Sequence, residues 1–293
     1  MIPEPLRSSI ESYLREFHNK TVKVTGQQTI GGGSINDAWR LDTETGPFFL
    51  KYNNAGKFPA MFEKEARGLE LLASAGAIKV PEVIHYDSTG IDAYLLLEYL
   101  EPGVIKDGFW EQFGQELAML HRNSNDYFGL DHDNYMGSLY QYNSPHHDWP
   151  GFFVEQRLEK QVAMAKNDGA IGSGDVALFD KLYPRLDTFF PQEAPALVHG
   201  DLWSGNFMAV STGKAAIIDP AAYYGHREVD IAMSTLFGSF SNAFYTAYNE
   251  AYPMEQGWQE RLDIYNLYPL MVHVNLFGGG YMASVKRILK RFV

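Results

Sequence analysis

The run Leu197-Val198-His199-Gly200-Asp201-Leu202-Trp203-Ser204-Gly205-Asn206 holds a histidine, an aspartate two positions on and an asparagine five beyond that. Two strand-like runs follow, Phe207 to Val210 and Ala215 to Asp219, around the turn Ser211-Thr212-Gly213. The second ends in Ile217-Ile218-Asp219-Pro220, so another acid comes 13 positions after Asn206. This set suits phosphoryl transfer to a hydroxyl. One carboxylate, Asp201, meets the attacking hydroxyl, and the amide oxygen of Asn206 and the carboxylate of Asp219 hold Mg²⁺ against nucleotide phosphates. A buried turn capped by Asp and Asn side chains would account for the loop but leaves the second acid unexplained.

The spacing of Asp201, Asn206 and Asp219 resembles that of protein kinases, and the chain on either side is consistent with it. Leu6, Ile10, Tyr13, Leu14 and Phe17 recur at helical spacing and predict an amphipathic opening helix. Val22, Val24 and Ile30 form a β-branched stretch that ends at Gly31-Gly32-Gly33-Ser34. Ala38-Trp39-Arg40-Leu41 and Phe48-Phe49-Leu50-Lys51 predict two strands around Thr43-Glu44-Thr45-Gly46. Phe62, Ala66, Leu69 and Leu72 predict a helix that stops near Gly76, before Pro81. Val83 to Tyr86 and Ala93 to Leu100 follow as strands, and Glu101-Pro102-Gly103 ends the second. Beyond Gly103 the spacing is mostly helical, with Phe153, Arg157 and Gln161 suggesting one of the helices and a short strand at Leu197 to His199. The expected architecture is α+β in two parts: residues 1–102, small and strand-rich, and residues 103–293, larger and helical.

The first part supplies its own candidates. Lys51 ends a strand after the glycines and a hairpin, where a phosphate-binding lysine would sit; a solvated strand-end lysine fits the same pattern. Glu65 lies 14 residues later, beside the Phe62, Ala66, Leu69 stripe, and a carboxylate there needs a partner such as Lys51. Gly32, Gly33 and Ser34 can bring backbone N–H groups close to phosphate oxygens, although the run departs from G-x-G-x-x-G and also fits a plain hairpin tip. The strand end Glu98-Tyr99-Leu100 offers backbone groups to an adenine edge, and it also fits an ordinary buried edge strand.

Composition narrows the field. With 45% hydrophobic and 20% charged residues, the 293-residue chain is globular rather than disordered. A net charge of -12 argues against nucleic-acid and membrane-surface partners. Without cysteine there are no disulfides, thiolate metal sites or thiol nucleophiles. No secretory signal or apolar span is evident, so the cytoplasm is the expected compartment.

The chain resembles the fructosamine kinase (ketosamine-3-kinase) family, relatives of the aminoglycoside phosphotransferases. The matching stretches are Gly31-Gly32-Gly33-Ser34-Ile35-Asn36, Phe49-Leu50-Lys51, Glu65-Ala66-Arg67-Gly68-Leu69 and Leu97-Glu98-Tyr99-Leu100. They continue with His199 to Asn206, Asp219-Pro220-Ala221, Tyr224 to Asp230 and Leu276-Phe277-Gly278-Gly279. The resemblance implies a bilobal protein-kinase-like fold. It also implies transfer of the ATP γ-phosphoryl group to the 3-hydroxyl of small-molecule or protein-linked ketosamines, with Mg²⁺ as cofactor and deglycation as the role. By the same resemblance, Asp201 is the base, Asn206 and Asp219 are the metal ligands, and Lys51 contacts phosphates and pairs with Glu65. Glu98 and Leu100 give hinge backbone to adenine, and Trp203 lines the acceptor pocket.

Two alternatives stand beside this expectation: a kinase for another hydroxylated amine such as an aminoglycoside, and a regulatory nucleotide-binding pseudokinase. The second predicts a lost base, metal ligand or lysine, and all are present. His226, Arg227, Glu228 and Asp230 are expected to brace the loop that carries Asp201. His273 is a candidate for the acceptor pocket, at helical spacing with Tyr268, Pro269 and Leu276, a pattern that equally fits a core histidine. His146-His147-Asp148 is expected to be surface rather than a metal site.

Overall fold

The computed structural model describes residues 1–31 and 36–293. Helix α1 (Glu4–His18) opens the chain. Strands β1 (Val24–Thr29), β2 (Asp37–Thr43) and β3 (Gly46–Asn54) follow, then α2 (Met61–Ser74), β4 (Val83–Ser88) and β5 (Asp92–Glu98). The five strands form one antiparallel sheet in the order β1-β2-β3-β5-β4.

Strand alternation explains why β5 is apolar on both faces. Tyr94 and Leu96 join Leu41 and Leu50 in a core closed by Leu6, Ile10 and Leu14 of α1. Leu95 and Leu97 point the other way, into the main core with Phe62, Ala66 and Leu69 of α2. Lys51 pairs in register with Leu95, so its side chain leaves the sheet on the α2 side.

The remainder is mainly helical. Helix α3 (Phe109–His121) leads to the hairpin β6 (Asn134–Met136) and β7 (Leu139–Gln141). Next come α4 (Trp149–Phe152), a π-helical turn at Phe153–Leu158, α5 (Glu159–Asn167), α6 (Ser173–Leu182) and α7 (Leu186–Phe189). Strands β8 (Ala196–Val198) and β11 (Tyr223–Gly225) pair with each other, and so do β9 (Phe207–Ala209) and β10 (Ala215–Ile217). Helices α8 (Glu228–Leu236), α9 (Asn242–Ala251), α10 (Trp258–Tyr265), α11 (Leu267–Phe277) and α12 (Met282–Phe292) complete the chain. This is the expected α+β, bilobal, kinase-like arrangement of a small antiparallel sheet and a larger helical lobe.

Three features differ from the sequence reading. The helix expected around Phe153, Arg157 and Gln161 contains the π-helical turn, which takes in Arg157. The hairpin β6–β7 and the strand β11 were not anticipated. The segment between the lobes is held tightly, with Gly103 N–H donating to Ala209 O at 2.8 Å and Ser211 N–H to Glu101 O at 2.9 Å. A Cβ on Gly103 would lie 2.1 Å from Val210 O, so only glycine fits there. No helix of the described residues is long and apolar enough to cross a membrane.

Candidate active site

The register of β3 delivers Lys51 to a buried position between the sheet and α2. Its Nζ donates to Glu65 Oε1 at 2.7 Å and to Asp219 Oδ1 at 2.6 Å. Burial works to lower the Lys51 pKa, but Asp219 and Glu65 together outweigh it and raise it, so the ammonium stays charged. The expected Lys51–Glu65 pair is therefore present, and Asp219 joins it. Asp219 has φ 55°, in the left-handed region that a non-glycine residue seldom adopts.

Asp201 and Asn206 lie on the loop between β8 and β9. Asn206 Nδ2 donates to Asp201 Oδ2 and to Asp201 O, both at 2.9 Å. With its NH₂ turned to Asp201, Asn206 keeps its amide oxygen as an acceptor. Burial first, and the Asp219 charge second, push the Asp201 carboxyl well above the usual range, with the Asn206 hydrogen bond opposing. The loop is held from beneath. Asp230 on α8 accepts from His199 N–H at 2.7 Å and from Gly200 N–H at 2.8 Å, and it also meets His121 Nε2 at 3.1 Å. Gly200 has φ 82°, and a Cβ there would lie 2.2 Å from Ala221 O.

The neighbours of Asp230 have other partners. Arg227 pairs with Glu193 at 2.7 Å, Glu228 with Arg261 at 2.5 Å, and His226 Nδ1 lies 2.9 Å from Tyr265 OH. Of the four residues expected to brace the loop, Asp230 is the one whose side chain hydrogen-bonds to it among the described residues.

On the side toward α11, Trp203 lies across its own loop. A Cβ on Gly205 would come 2.4 Å from the indole Cη2, so the ring rests on the Gly205 backbone. The indole meets Phe237 edge-on at 6.0 Å, and Ser204 Oγ donates to Phe237 O at 2.9 Å. Phe237 in turn packs 4.6 Å from the His273 ring. His273 Nδ1–H donates to Pro269 O at 2.7 Å, and burial lowers its pKa, so at neutral pH its Nε2 is a bare acceptor.

Other expected positions fall elsewhere. Gly32, Gly33 and Ser34 lie outside the described residues. Glu98 turns its carboxylate to Lys79 at 2.6 Å, and Glu98, Tyr99 and Leu100 line a cavity of about 600 Å³ with Lys79, Glu116 and Lys214. Tyr99 is covered by Arg40, 4.6 Å from the ring centroid. His146 pairs with Glu155 at 3.1 Å, and Asp148 caps α4 through Gly151 N–H at 2.8 Å.

The donor set fits magnesium that arrives with phosphates. Among the described residues no three His, Asp or Glu side chains converge as a metal site. Asn206 and Asp219 offer hard oxygen donors, which matches a cation that draws its remaining ligands from phosphate and water.

The fructosamine kinase family model matches residues 6–293. The chain is 38% identical over 290 residues to a protein of Synechocystis sp. named as a probable ketoamine kinase, covering 99% of this chain and 97% of that one. It is 36% identical to the chloroplastic protein-ribulosamine 3-kinase of Arabidopsis thaliana, covering 97% of this chain and 88% of that one. A solved structure from Haemophilus somnus, named as a fructosamine-3-kinase, superposes with a TM-score of 0.88 at 32% identity over 97% of this chain and 96% of that one. An aminoglycoside phosphotransferase shares the fold at a TM-score of 0.59 and 15% identity, covering 96% of this chain and 98% of the other.

Proposed function

Because the chain belongs to the fructosamine kinase family, we propose that it is a phosphotransferase that moves the γ-phosphoryl group of ATP to the 3-hydroxyl of ketosamines. These are ribulosamine- or fructosamine-type adducts on an amino acid or a protein, so the reaction would serve deglycation. The observation that supports this most directly is the meeting of Glu65 and Asp219 at one buried lysine, with Asp201 on the adjoining loop.

In this reading residues 1–102 hold the nucleotide and residues 103–293 carry the acceptor and the catalytic loop. Lys51 neutralises phosphate oxygens, and Glu65 fixes its direction. Gly32, Gly33 and Ser34 are assigned to the phosphates, and the backbone of Glu98, Tyr99 and Leu100 to the adenine edge. Asn206 through its amide oxygen and Asp219 through its carboxylate would hold Mg²⁺, which supplies charge neutralisation at the phosphates. Asp201 accepts the proton of the attacking hydroxyl, and its raised pKa makes it a stronger base than an exposed aspartate. Trp203 and the Nε2 acceptor of His273 flank the sugar and its ammonium.

The test is coupled ATP consumption with ribulosamine, fructosamine and erythrulosamine adducts of lysine, with aminoglycosides as controls. Turnover of the adducts alone is expected. Turnover confined to aminoglycosides would move the enzyme to that acceptor class, and nucleotide binding with no acceptor turned over would make it a regulatory nucleotide-binding protein.

A further inference from the structure

The two carboxylates at Lys51 come from separate elements, and one short hairpin touches both. On the Asp219 side, the contacts are buried amides. Gln141 Nε2 donates to Ala221 O at 3.0 Å, and Asn134 Nδ2 donates to Ala222 O at 2.9 Å. Gln141 and Asn134 are 1% and 4% exposed, so water does not compete for these bonds. They also bond to each other, Gln141 Nε2 to Asn134 Oδ1 at 2.8 Å. Asn143 Nδ2 adds a second donor to Asn134 Oδ1 at 3.0 Å, and Tyr268 OH donates to Gln141 Oε1 at 2.9 Å. Arg157 fixes Asn143 through its Oδ1 at 2.8 Å, and the guanidinium lies over the rings of Tyr223 and Tyr268.

On the Glu65 side the contacts reach α2. Lys64, next to Glu65, donates to Asp133 O at 2.6 Å and to Tyr140 OH at 2.8 Å. Its ammonium sits 4.4 Å from the Tyr140 ring centroid. Tyr135 OH donates to Pro59 O at 3.0 Å, just before α2 begins. Helix α2 itself lies against the segment after Asp219. A Cβ on Gly68 would be 3.7 Å from Ala222 Cβ and 3.8 Å from Pro220 Cγ.

We propose that the β6–β7 hairpin positions the phosphate-facing machinery: Gln141 and Asn134 hold Asp219 through the carbonyls of Ala221 and Ala222, and Lys64 and Tyr140 tie the Glu65 helix to the same hairpin. The physical need is local. Asp219 sits in a left-handed conformation that relaxes unless its neighbours over-determine it. Ile218, just before it, is bonded to Asn206 O and His199 Nε2 at 3.0 and 2.9 Å, and beyond it the buried amides clamp the carbonyls two and three residues on. These are positioning residues and touch no reacting atom. The proposal rests on the phosphotransfer reading for its consequence, while its structural core stands apart from it.

The experiment combines amide hydrogen exchange of the ligand-free protein, calorimetric binding of a non-hydrolysable ATP analogue across a Mg²⁺ titration, and thermal melting. The variants are Gln141→Leu, Gln141→Glu, Lys64→Met and Tyr140→Phe. Ile218 N–H and Ala221 N–H bond to Asn206 O and His199 O, both at 3.0 Å, and they are the reporters. In Gln141→Leu their exchange should rise about tenfold. Mg²⁺-dependent nucleotide affinity should fall about tenfold, the scale seen when groups that orient metal ligands are lost. Gln141→Glu keeps the acceptor for Tyr268 and loses the donor, so it should behave like Gln141→Leu. Lys64→Met and Tyr140→Phe act at the hairpin's outer side and should weaken Mg²⁺–nucleotide binding about threefold with melting unchanged. If Gln141→Leu does not fold, this outer pair decides. Folded variants with wild-type exchange at Ile218 and Ala221 and wild-type Mg²⁺ dependence would reduce the hairpin to core filling. A wild type that binds no nucleotide would overturn the phosphotransfer reading, and the exchange data would still judge the clamp.

Discussion

Lys51 Nζ lies 2.6 Å from Asp219 Oδ1 and 2.7 Å from Glu65 Oε1, so one buried ammonium joins two carboxylates that are 168 and 14 residues away in the chain. The small lobe supplies the cation and one acid, and the large lobe supplies the other. A nucleotide phosphate entering here would compete with Asp219 for the lysine.

Lys51 and Glu65 should therefore behave as a coupled pair. Lys51→Ala and Glu65→Ala are each expected to lower kcat/KM, and the double variant should lose less than the sum. Contacting charged pairs show coupling of about 0.5–3 kcal/mol. A double-mutant cycle on kcat/KM is the measurement, and strict additivity would mean that the pair does not act as one unit in the working enzyme.

Asp201→Asn should lower kcat by about 10²–10⁴-fold, because the amide keeps the shape and cannot take the proton. The same variant should be more stable at high pH. The folded protein raises the Asp201 pKa, chiefly by burial, so it binds that proton more tightly than the unfolded chain does. The stability tied to this proton is complete below the unfolded pKa and is lost as pH rises through the folded one. Above the folded pKa the wild type bears the buried charge and the variant does not. A Tm gain of about 2–4 °C per kcal/mol removed is expected to open for the variant as pH rises, with little difference below the unfolded pKa. A Tm difference that stays flat across the whole pH series would contradict the burial argument.

His226 works in the opposite direction. Burial, with Arg261 and Arg227 nearby, lowers its pKa to about 3. Unfolded, it takes up a proton near pH 6.5, so stability is lost as pH falls from 6.5 toward 3. One such group contributes a slope of about 1.4 kcal/mol per pH unit. His226→Gln should flatten the dependence of unfolding free energy on pH between 6 and 4 by about that amount. Denaturant titrations across this range measure it, and an unchanged slope would show that His226 takes up its proton in the folded state.

Much of this was legible in the sequence because it is local. The strands around Thr43–Gly46, the α2 stripe and the loop with Asp201 and Asn206 follow from periodicity and short-range spacing. The partner of Glu65 was legible too, since a carboxylate on the core side of a helix needs a cation. The Lys51–Asp219 contact was not, because it depends on how two lobes meet and on φ 55° at Asp219. The β6–β7 hairpin was missed for another reason. Its strands are three residues each, and Asn134, Gln141 and Asn143 read as loop polarity although they are buried. The Gly137-Ser138 pair between Met136 and Leu139 was the available signal for a tight turn, with Gly137 at φ 61°. The π-helical turn left no trace, since Phe153, Arg157 and Gln161 recur every four residues in an α-helix as well.

Gly205 gives a way to test the role of Trp203 without removing it. The indole Cη2 and Cζ2 would lie 2.4 and 2.5 Å from an added Cβ, so Gly205→Ala must push the ring off the loop backbone. Asp201 and Asn206, on either side, bond to Trp203 only through its backbone, Trp203 N–H to Asp201 O at 3.1 Å and Asn206 N–H to Trp203 O at 3.0 Å. Asn206 Nδ2 ties the two together at 2.9 Å, so a shift of the indole alone should leave both in place. If the indole covers the sugar or meets the ammonium of a ketosamine, the acceptor KM should rise and the nucleotide KM should not. A cation–π contact of about 0.5–2 kcal/mol corresponds to a rise of roughly 2–30-fold. Trp203→Leu should give a similar rise. The far end of the amine is expected to point outward between the lobes, so one sugar carried on lysine, glycine or a small peptide should give kcat/KM values within about a hundredfold, a spread of roughly 2.7 kcal/mol. Steady-state kinetics on these three acceptors, in wild type and both variants, is the measurement. An acceptor KM unmoved in Gly205→Ala and Trp203→Leu alike would return Trp203 to packing against Phe237, and wider discrimination among the amines in wild type would show that the site reads beyond the sugar.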